Sequence, residues 1–196
     1  YYYVANSTNI YRGPIAGGSS GTSLFSYGYT ATHVALGWVK QRLIAGVNEK
    51  VWEIIPGATA PTSPVYTNPV TGWVWTSVAD GPNSIYVSGY AGLSSSVLKL
   101  ALDTNGELPA LTSAVTVADL PGGEIITAMA TYVGKYIAFG TNLGIRIGTI
   151  DTSGAYTYGQ ITYGPLTVVT NGYDPLYERT IAGSNVTGFA FDDRFL

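Results

Sequence analysis

The feature that most constrains the fold of this chain is a repeated unit that begins and ends in mid-repeat. Each unit is predicted to open with a short strand that carries a threonine, at Thr32, Thr71, Thr127 and Thr187. These four threonines lie 39, 56 and 60 residues apart along the chain. Self-similarity at a period of roughly 40 to 50 residues is typical of folds that repeat one small structural unit, such as propellers.

Three more strands are predicted in each unit, because apolar and polar residues alternate there with the period of two that a β-strand requires. The second strands are predicted at 41–46, 84–89 and 135–140, the third at 51–55, 97–102 and 145–150, and the weaker fourth near 64–66, 113–117 and 163–169. Four short antiparallel strands in each repeat predict an all-β fold, and specifically a β-propeller with four-stranded antiparallel blades.

The repeat predicts a single propeller domain, or a fragment of one, over residues 1–196. A half unit at each end flanks three full units, which gives the divisions 1–30, about 31–69, 70–125, 126–185 and 186–196. The first half is predicted to begin at a second strand, and the last to stop at one. Two arrangements fit this pattern. Either the complementary halves pair and close a four-bladed ring, or the chain is a slice of a larger propeller.

The composition excludes several classes of function. Charged residues make up 11% of the chain and the net charge is -3, so a basic surface for nucleic acid or anionic lipid is not predicted. The chain has no cysteine and one histidine, which excludes disulfides, thiol catalysis and a two-histidine metal site. No apolar run reaches the roughly 18 residues of a membrane helix. We therefore expect no cofactor, no metal and no membrane insertion.

Carboxylates give little support for catalysis. Asp192 and Asp193 are adjacent, so we expect them to point to different sides of a strand or turn and not to face one substrate as acid–base partners. Asp103, Asn105 and Glu107 alternate like the start of a calcium loop, but the remaining ligands of such a loop are missing. A turn is predicted there instead. No serine lies in a Gly-x-Ser-x-Gly elbow, so the sequence predicts a protein that is not an enzyme.

Candidate ligand-facing residues are one histidine and several tyrosines. His33 is predicted on a first strand that lines a central channel, although a histidine bonded only to backbone groups is the alternative. Tyrosines in predicted loops are candidates for a binding surface, because tyrosine beside glycine and serine is common in adaptable recognition loops: Tyr27, Tyr29, Tyr90 and Tyr173. The four tryptophans are predicted in the core between blades: Trp38, Trp52, Trp73 and Trp75.

Three stretches carry a resemblance to a known family. They are residues 127–148, then 151–154 followed by Tyr163-Gly164-Pro165-Leu166, and the closing Phe191-Asp192-Asp193-Arg194-Phe195-Leu196. Over roughly residues 34–196 the chain resembles the propeller repeats of minor tail proteins from long-tailed bacteriophages, notably those that infect actinobacteria. The resemblance implies a virion component at the tail tip or fibre, and it supplies no catalytic residue.

The leading expectation is therefore a structural module of a phage tail, located in the virion. Its expected partners are other tail proteins, further copies of itself and cell-wall polysaccharide of the host. The alternative is a secreted or cell-surface propeller lectin of bacterial origin, which would be extracellular. A third reading, a propeller glycosidase or lyase, needs two carboxylates that face one substrate.

Overall fold

The computed structural model of the chain describes residues 1–16, 21–132, 136–150 and 162–163. These residues form four antiparallel sheets and no helix, which confirms the predicted all-β class. Without a helix, the described part also contains no helical segment that could cross a membrane. Each sheet is a meander, in which strands that follow one another in the chain lie side by side.

The strands fall into the four sheets in chain order. Sheet 1 contains β1 (Tyr2–Ala5), β2 (Asn9–Gly13) and β3 (Thr22–Ser26). Sheet 2 contains β4 (Val34–Val39), β5 (Arg42–Val47), β6 (Lys50–Ile54) and β7 (Tyr66–Thr67). Sheet 3 contains β8 (Val74–Gly81), β9 (Ser84–Ala91), β10 (Ser94–Ala101) and β11 (Val115–Asp119). Sheet 4 contains β12 (Ile126–Tyr132), β13 (Tyr136–Thr141), β14 (Gly144–Thr149) and β15 (Thr162–Tyr163).

Each sheet lies within one of the predicted repeat units. The predicted second and third strands coincide with β5, β9, β13 and with β6, β10, β14 to within three residues at either end. Sheet 1 has three strands in the order β1-β2-β3, one strand fewer than the other sheets. Its last strand, β3, was not predicted, because residues 13–30 match the other repeats poorly.

Thr187 lies outside the described residues, and the other three predicted threonine anchors do not share one position in their sheets. Thr32 and Thr71 precede β4 and β8, whereas Thr127 lies inside β12. The strand pairing explains the difference. Val34 is opposite Val47, the last residue of β5, and Ile126 is opposite Thr141, the last residue of β13. Position 32 in sheet 2 therefore corresponds to position 124 in sheet 4, and the shared threonines do not mark one structural position.

Consecutive sheets pack face to face and bury three apolar clusters between them. The cluster of sheets 1 and 2 contains Ile10, Phe25 and Leu43; that of sheets 2 and 3 contains Ile44, Trp75 and Leu98; that of sheets 3 and 4 contains Val97, Met129 and Phe139. Strand β8 lies against both β4 and β12, so the first strands of sheets 2, 3 and 4 are neighbours. The four sheets therefore form a row that follows the chain.

The same backbone hydrogen bond ties each sheet to the segment that leads into the next one. The Ala31 N–H donates to the Ser7 carbonyl at 2.6 Å, the Asn68 N–H to Glu49 at 2.8 Å, and the Gly123 N–H to Leu93 at 2.8 Å. Each acceptor belongs to the turn between a second and a third strand or its counterpart in sheet 1. We call this side of the molecule, where these turns and the crossings to the next sheet meet, the connector end.

Candidate functional site

An open depression at the connector end contains the single histidine. It has a volume of about 290 Å³ and lies where sheet 1 crosses to sheet 2. Its lining consists of the turn after β1 and the segment that leads into β4: Ala5, Asn6, Ser7, Ala31, Thr32, His33 and Val34. No lining residue carries a carboxylate, so the depression offers hydrogen bonds from hydroxyl, amide and imidazole groups.

Local hydrogen bonds fix both walls of this depression. The Asn6 side-chain oxygen accepts the N–H groups of Thr8 at 2.9 Å and Asn9 at 2.8 Å, which closes an Asx turn after β1. The Ala31 N–H bonds the Ser7 carbonyl and holds the second wall against the first. The exposed groups of Ser7 and His33 are thus presented from a backbone that is already in place.

His33 itself does not lie where the sequence predicted it. It precedes β4, which begins at Val34, and its side chain is exposed at the connector end. The expectation of a histidine on a first strand is therefore wrong. The neighbouring Thr32 N–H and hydroxyl lie 3.4 and 3.5 Å from the Asn48 side-chain oxygen, which connects the depression to the turn of sheet 2.

The candidate tyrosines occupy different environments. Tyr27 is 6% exposed and packs edge-on against Phe25 in the core, so its predicted surface position is wrong. Burial raises the pKa of Tyr27 to about 12, with a smaller contribution from neighbouring Tyr29. Tyr29 is half-buried beneath the Lys50 ammonium, 5.3 Å from its ring centroid, and burial raises its pKa as well.

Neither of the other two candidate tyrosines lies in a described loop. Tyr90 lies within β9, opposite Val74 and Ser95, and is half-buried rather than placed in a loop. The predicted strand ended one residue before it, so β9 continues through the position that was read as a loop. Tyr173 lies outside the described residues. The structure thus does not bring the predicted tyrosines together with His33 in the depression.

One tryptophan departs from the predicted core. Trp52, Trp73 and Trp75 are buried as expected, whereas Trp38 is 53% exposed near the end of β4. Its ring stacks on Tyr3 of sheet 1, with centroids 5.5 Å apart and planes inclined by 8°. Alternation along β4 places Trp38 on the face toward sheet 1, but only the short strand β1 is there to cover it.

The predicted turn at Asp103 is confirmed in detail. The Asp103 carboxylate accepts the N–H groups of Asn105 and Glu107, both at 2.8 Å. The Glu107 carboxylate turns away and pairs with Arg42 of sheet 2 at 2.9 Å. Arg42 also pairs with Glu53 at 2.6 Å, and these two carboxylates raise the pKa of its guanidinium. The Glu107 carboxylate therefore connects the turn after β10 in sheet 3 to Arg42 in sheet 2.

Sequence reasoning missed a buried ion pair. The Arg146 Nε donates to the Glu124 carboxylate at 2.7 Å, and Arg146 Nη2 bonds the second carboxylate oxygen. Arg146 is 4% exposed and Glu124 is 3% exposed. Glu124 belongs to the crossing from sheet 3 to sheet 4, and Arg146 belongs to β14. An arginine between two isoleucines in a predicted strand was the available signal, because buried charges require a partner.

The adjacent pair Asp192 and Asp193 lies outside the described residues. Within the described part of the chain, no three His, Asp or Glu side chains converge as a metal site would require. No family model matches the chain, and no curated protein matches it. The described carboxylates near basic groups are engaged in ion pairs: Asp80 with Lys40, Glu107 with Arg42, and Glu124 with Arg146.

Proposed function

We propose that this chain is a propeller-type module of a bacteriophage tail, which takes part in tail-tip assembly and in attachment to cell-wall glycan of the host. The observation that carries the proposal is the row of meander sheets, each tied to the next by the same backbone hydrogen bond at the connector end. Blades of a propeller need such a repeated junction, since each sheet alone leaves an apolar face uncovered.

The arrangement of the first strands supports the propeller part of the proposal. Strand β8 is flanked by β4 and β12, so the innermost strands of three sheets lie side by side, as blades around a common axis require. Among the described residues, β1 pairs with β2 alone and leaves the place of a first strand open in sheet 1. The predicted complement, residues 186–196, lies outside the described residues.

The surface at the connector end supports assembly with other tail proteins. Leu93 and Leu143 occupy corresponding tips of the turns in sheets 3 and 4, and they are 71% and 62% exposed. The chain also has few charges, 11% against about 25% in ordinary soluble domains. Depletion of charge and exposure of large apolar side chains are features of surfaces that contact other proteins. The residues that carry the phage resemblance include β12, β13 and β14.

The depression around His33 supports attachment to glycan. Its uncharged donors and acceptors suit the hydroxyl groups of a neutral sugar, and its fixed walls reduce the entropy lost on binding. Its openness to solvent suits one residue of a long polysaccharide.

The proposal is tested on purified virions. Mass spectrometry of virion proteins should recover peptides of this chain, and gold-labelled antibodies against it should mark the tail tip in electron micrographs. Absence from virions, together with recovery of the chain from bacterial culture medium, would exclude the tail function and support a secreted lectin. Labelling of the capsid instead of the tail would also refute the proposal.

A further inference from the structure

A strip of three aromatic rings and one guanidinium lies on the side of sheet 1 that faces sheet 2. Tyr3 and Arg12 are direct partners across β1 and β2, so their side chains share one face of the sheet. Tyr1 precedes Tyr3 by two residues, and the Arg12 guanidinium carbon lies 4.4 Å from its ring centroid. Trp38 stacks on Tyr3 from sheet 2. We call these four residues the Trp38 strip.

The tryptophan in this strip stacks on Tyr3 and remains accessible. Tyr3 covers one face of the Trp38 ring in a nearly parallel stack, so the 53% of the residue that is exposed belongs to the other face and the edges. An aromatic face that is rigid and partly exposed binds a flat apolar surface without losing side-chain entropy. The apolar face of a pyranose ring is such a surface.

The guanidinium in this strip has no acidic partner in the described part of the chain. No described carboxylate lies within 4.0 Å of Arg12, whereas Arg42 and Arg146 each pair with a glutamate. The Arg12 guanidinium lies over the Tyr1 ring, and a ring face does not accept a directed hydrogen bond from every N–H group. Donors of the guanidinium therefore remain available. A planar fork of this kind is suited to bind a carboxylate through two parallel hydrogen bonds.

The turn beside Trp38 is strained. Lys40 and Gln41 connect β4 to β5 with φ values of 48° and 62°, both in the left-handed region. Two such residues in a two-residue hairpin turn are usually asparagine and glycine, and long side chains there are unfavourable. Strained backbone is found disproportionately at binding sites, where the surrounding structure maintains it. These positive φ values define a tight two-residue hairpin turn next to Trp38.

We propose that the Trp38 strip binds an acidic polysaccharide, with one pyranose ring stacked on Trp38 and a carboxylate of the same polysaccharide paired with Arg12. The assignment deepens the attachment function proposed above and rests on it for the source of the glycan. It also separates two subsites: the depression at His33 offers uncharged hydrogen-bonding groups at the connector end, and the strip recognises negative charge at the opposite end of β4.

Tryptophan fluorescence provides a selective assay, since Trp38 is exposed and the other three tryptophans are buried. Acrylamide quenching of the full chain should therefore report mainly on Trp38. We expect tetragalacturonic acid to protect Trp38 from quenching, and the uncharged galactose tetramer to bind at least tenfold more weakly. Calorimetric titration with the same two sugars measures the affinities in variants that lack the tryptophan.

Four variants sharpen the test. Trp38→Ala should abolish binding of the acidic tetramer, and Arg12→Gln should reduce its affinity to that of the neutral one. Arg12→Lys should give an intermediate affinity, because the charge remains and the fork is lost. Tyr136→Ala removes a 43% exposed aromatic outside the strip and should leave binding unchanged. Circular dichroism confirms that each variant is folded, and Arg12→Lys serves if Arg12→Gln is not.

Two results would overturn the inference. Equal protection by the acidic and the neutral tetramer would refute recognition of a carboxylate, and no protection by either would refute the strip as a sugar site. These failures are distinct from failure of the tail proposal. A chain found at the tail tip that binds neither sugar contradicts the strip alone, and a chain that binds the acidic tetramer but is absent from virions contradicts the tail function alone.

Discussion

The buried pair between Glu124 and Arg146 makes the sharpest prediction about stability. Glu124→Gln removes the charge but keeps the shape, so the Arg146 guanidinium, 4% exposed, loses its buried counter-ion. Breaking a buried ion pair from one side costs about 3–5 kcal/mol. The free energy of unfolding of an ordinary domain is about 5–15 kcal/mol, so Glu124→Gln should remove about a fifth of it or more.

Urea unfolding of the full chain, followed by fluorescence of the buried tryptophans, measures this loss as a lower midpoint at similar slope. Lys40→Gln is the matched control, because it breaks an ion pair with Asp80 in which both side chains are partly exposed, 27% and 56%. Such pairs contribute about 0–1 kcal/mol. The reasoning is refuted if both substitutions shift the midpoint equally, since burial would then not determine the cost.

A double substitution separates the two contributions to that cost. Glu124→Leu combined with Arg146→Met removes both charges and leaves apolar side chains of similar length. Replacing a buried pair in this way is often neutral or stabilising, because no charge remains desolvated. We therefore expect the double variant to be more stable than Glu124→Gln alone. A double variant that is less stable than the single one would mean that the pair contributes net stability.

Three further predictions concern packing, pH and binding. Gly46→Ala should cost about 1–3 kcal/mol, because its new Cβ would meet the Trp75 side chain at 2.5 Å, whereas Gly122→Ala, with no atom within 4 Å, should be nearly neutral in the same unfolding assay. Tyr27→Phe should be as stable as the wild type near pH 7 and more stable than it by about 2 kcal/mol at pH 12. The folded pKa is raised to about 12, so wild-type stability contributed by neutral Tyr27 is lost as the pH rises from 10 through 12. His33→Ala should leave the melting temperature unchanged, since the side chain is exposed, and should weaken binding of neutral cell-wall oligosaccharide in calorimetry.

The strands were predictable and most of the site was not. Alternating apolar residues identified β5, β9 and β13, because burial of one sheet face imposes a period of two whatever the sheet packs against. Exposure of Trp38 depends on how little of sheet 1 lies opposite it, and no local pattern encodes that. Equally, Thr32 and Thr127 share a residue type without sharing a position, since the hydrogen-bond register and not the side chain defines the repeat.

Corresponding positions in the third strands show why chemistry was harder to predict than the fold. The third residue of each third strand is Tyr11 in β2, Trp52 in β6, Ser96 in β10 and Arg146 in β14. The junctions between sheets use backbone hydrogen bonds at the connector end, so the side chains at these positions vary freely between repeats. Each junction therefore has its own polar contacts, which an alignment of the repeats does not reveal.

The distribution of charge among these junctions bears on the Trp38 strip. Lys40 pairs with Asp80 and Arg42 with Glu107 between sheets 2 and 3, and Arg146 pairs with Glu124 at the crossing to sheet 4. Two of these ion pairs join sheet 2 to sheet 3, and the third joins β14 to the crossing that leads into sheet 4. Arg12 lies on the face of sheet 1 toward sheet 2, and among the described arginines it has no carboxylate within 4.0 Å. Arg12 therefore lies at a junction between sheets but lacks the carboxylate partner that the basic groups at the other junctions have in the described residues. This favours a carboxylate from outside the chain as its partner.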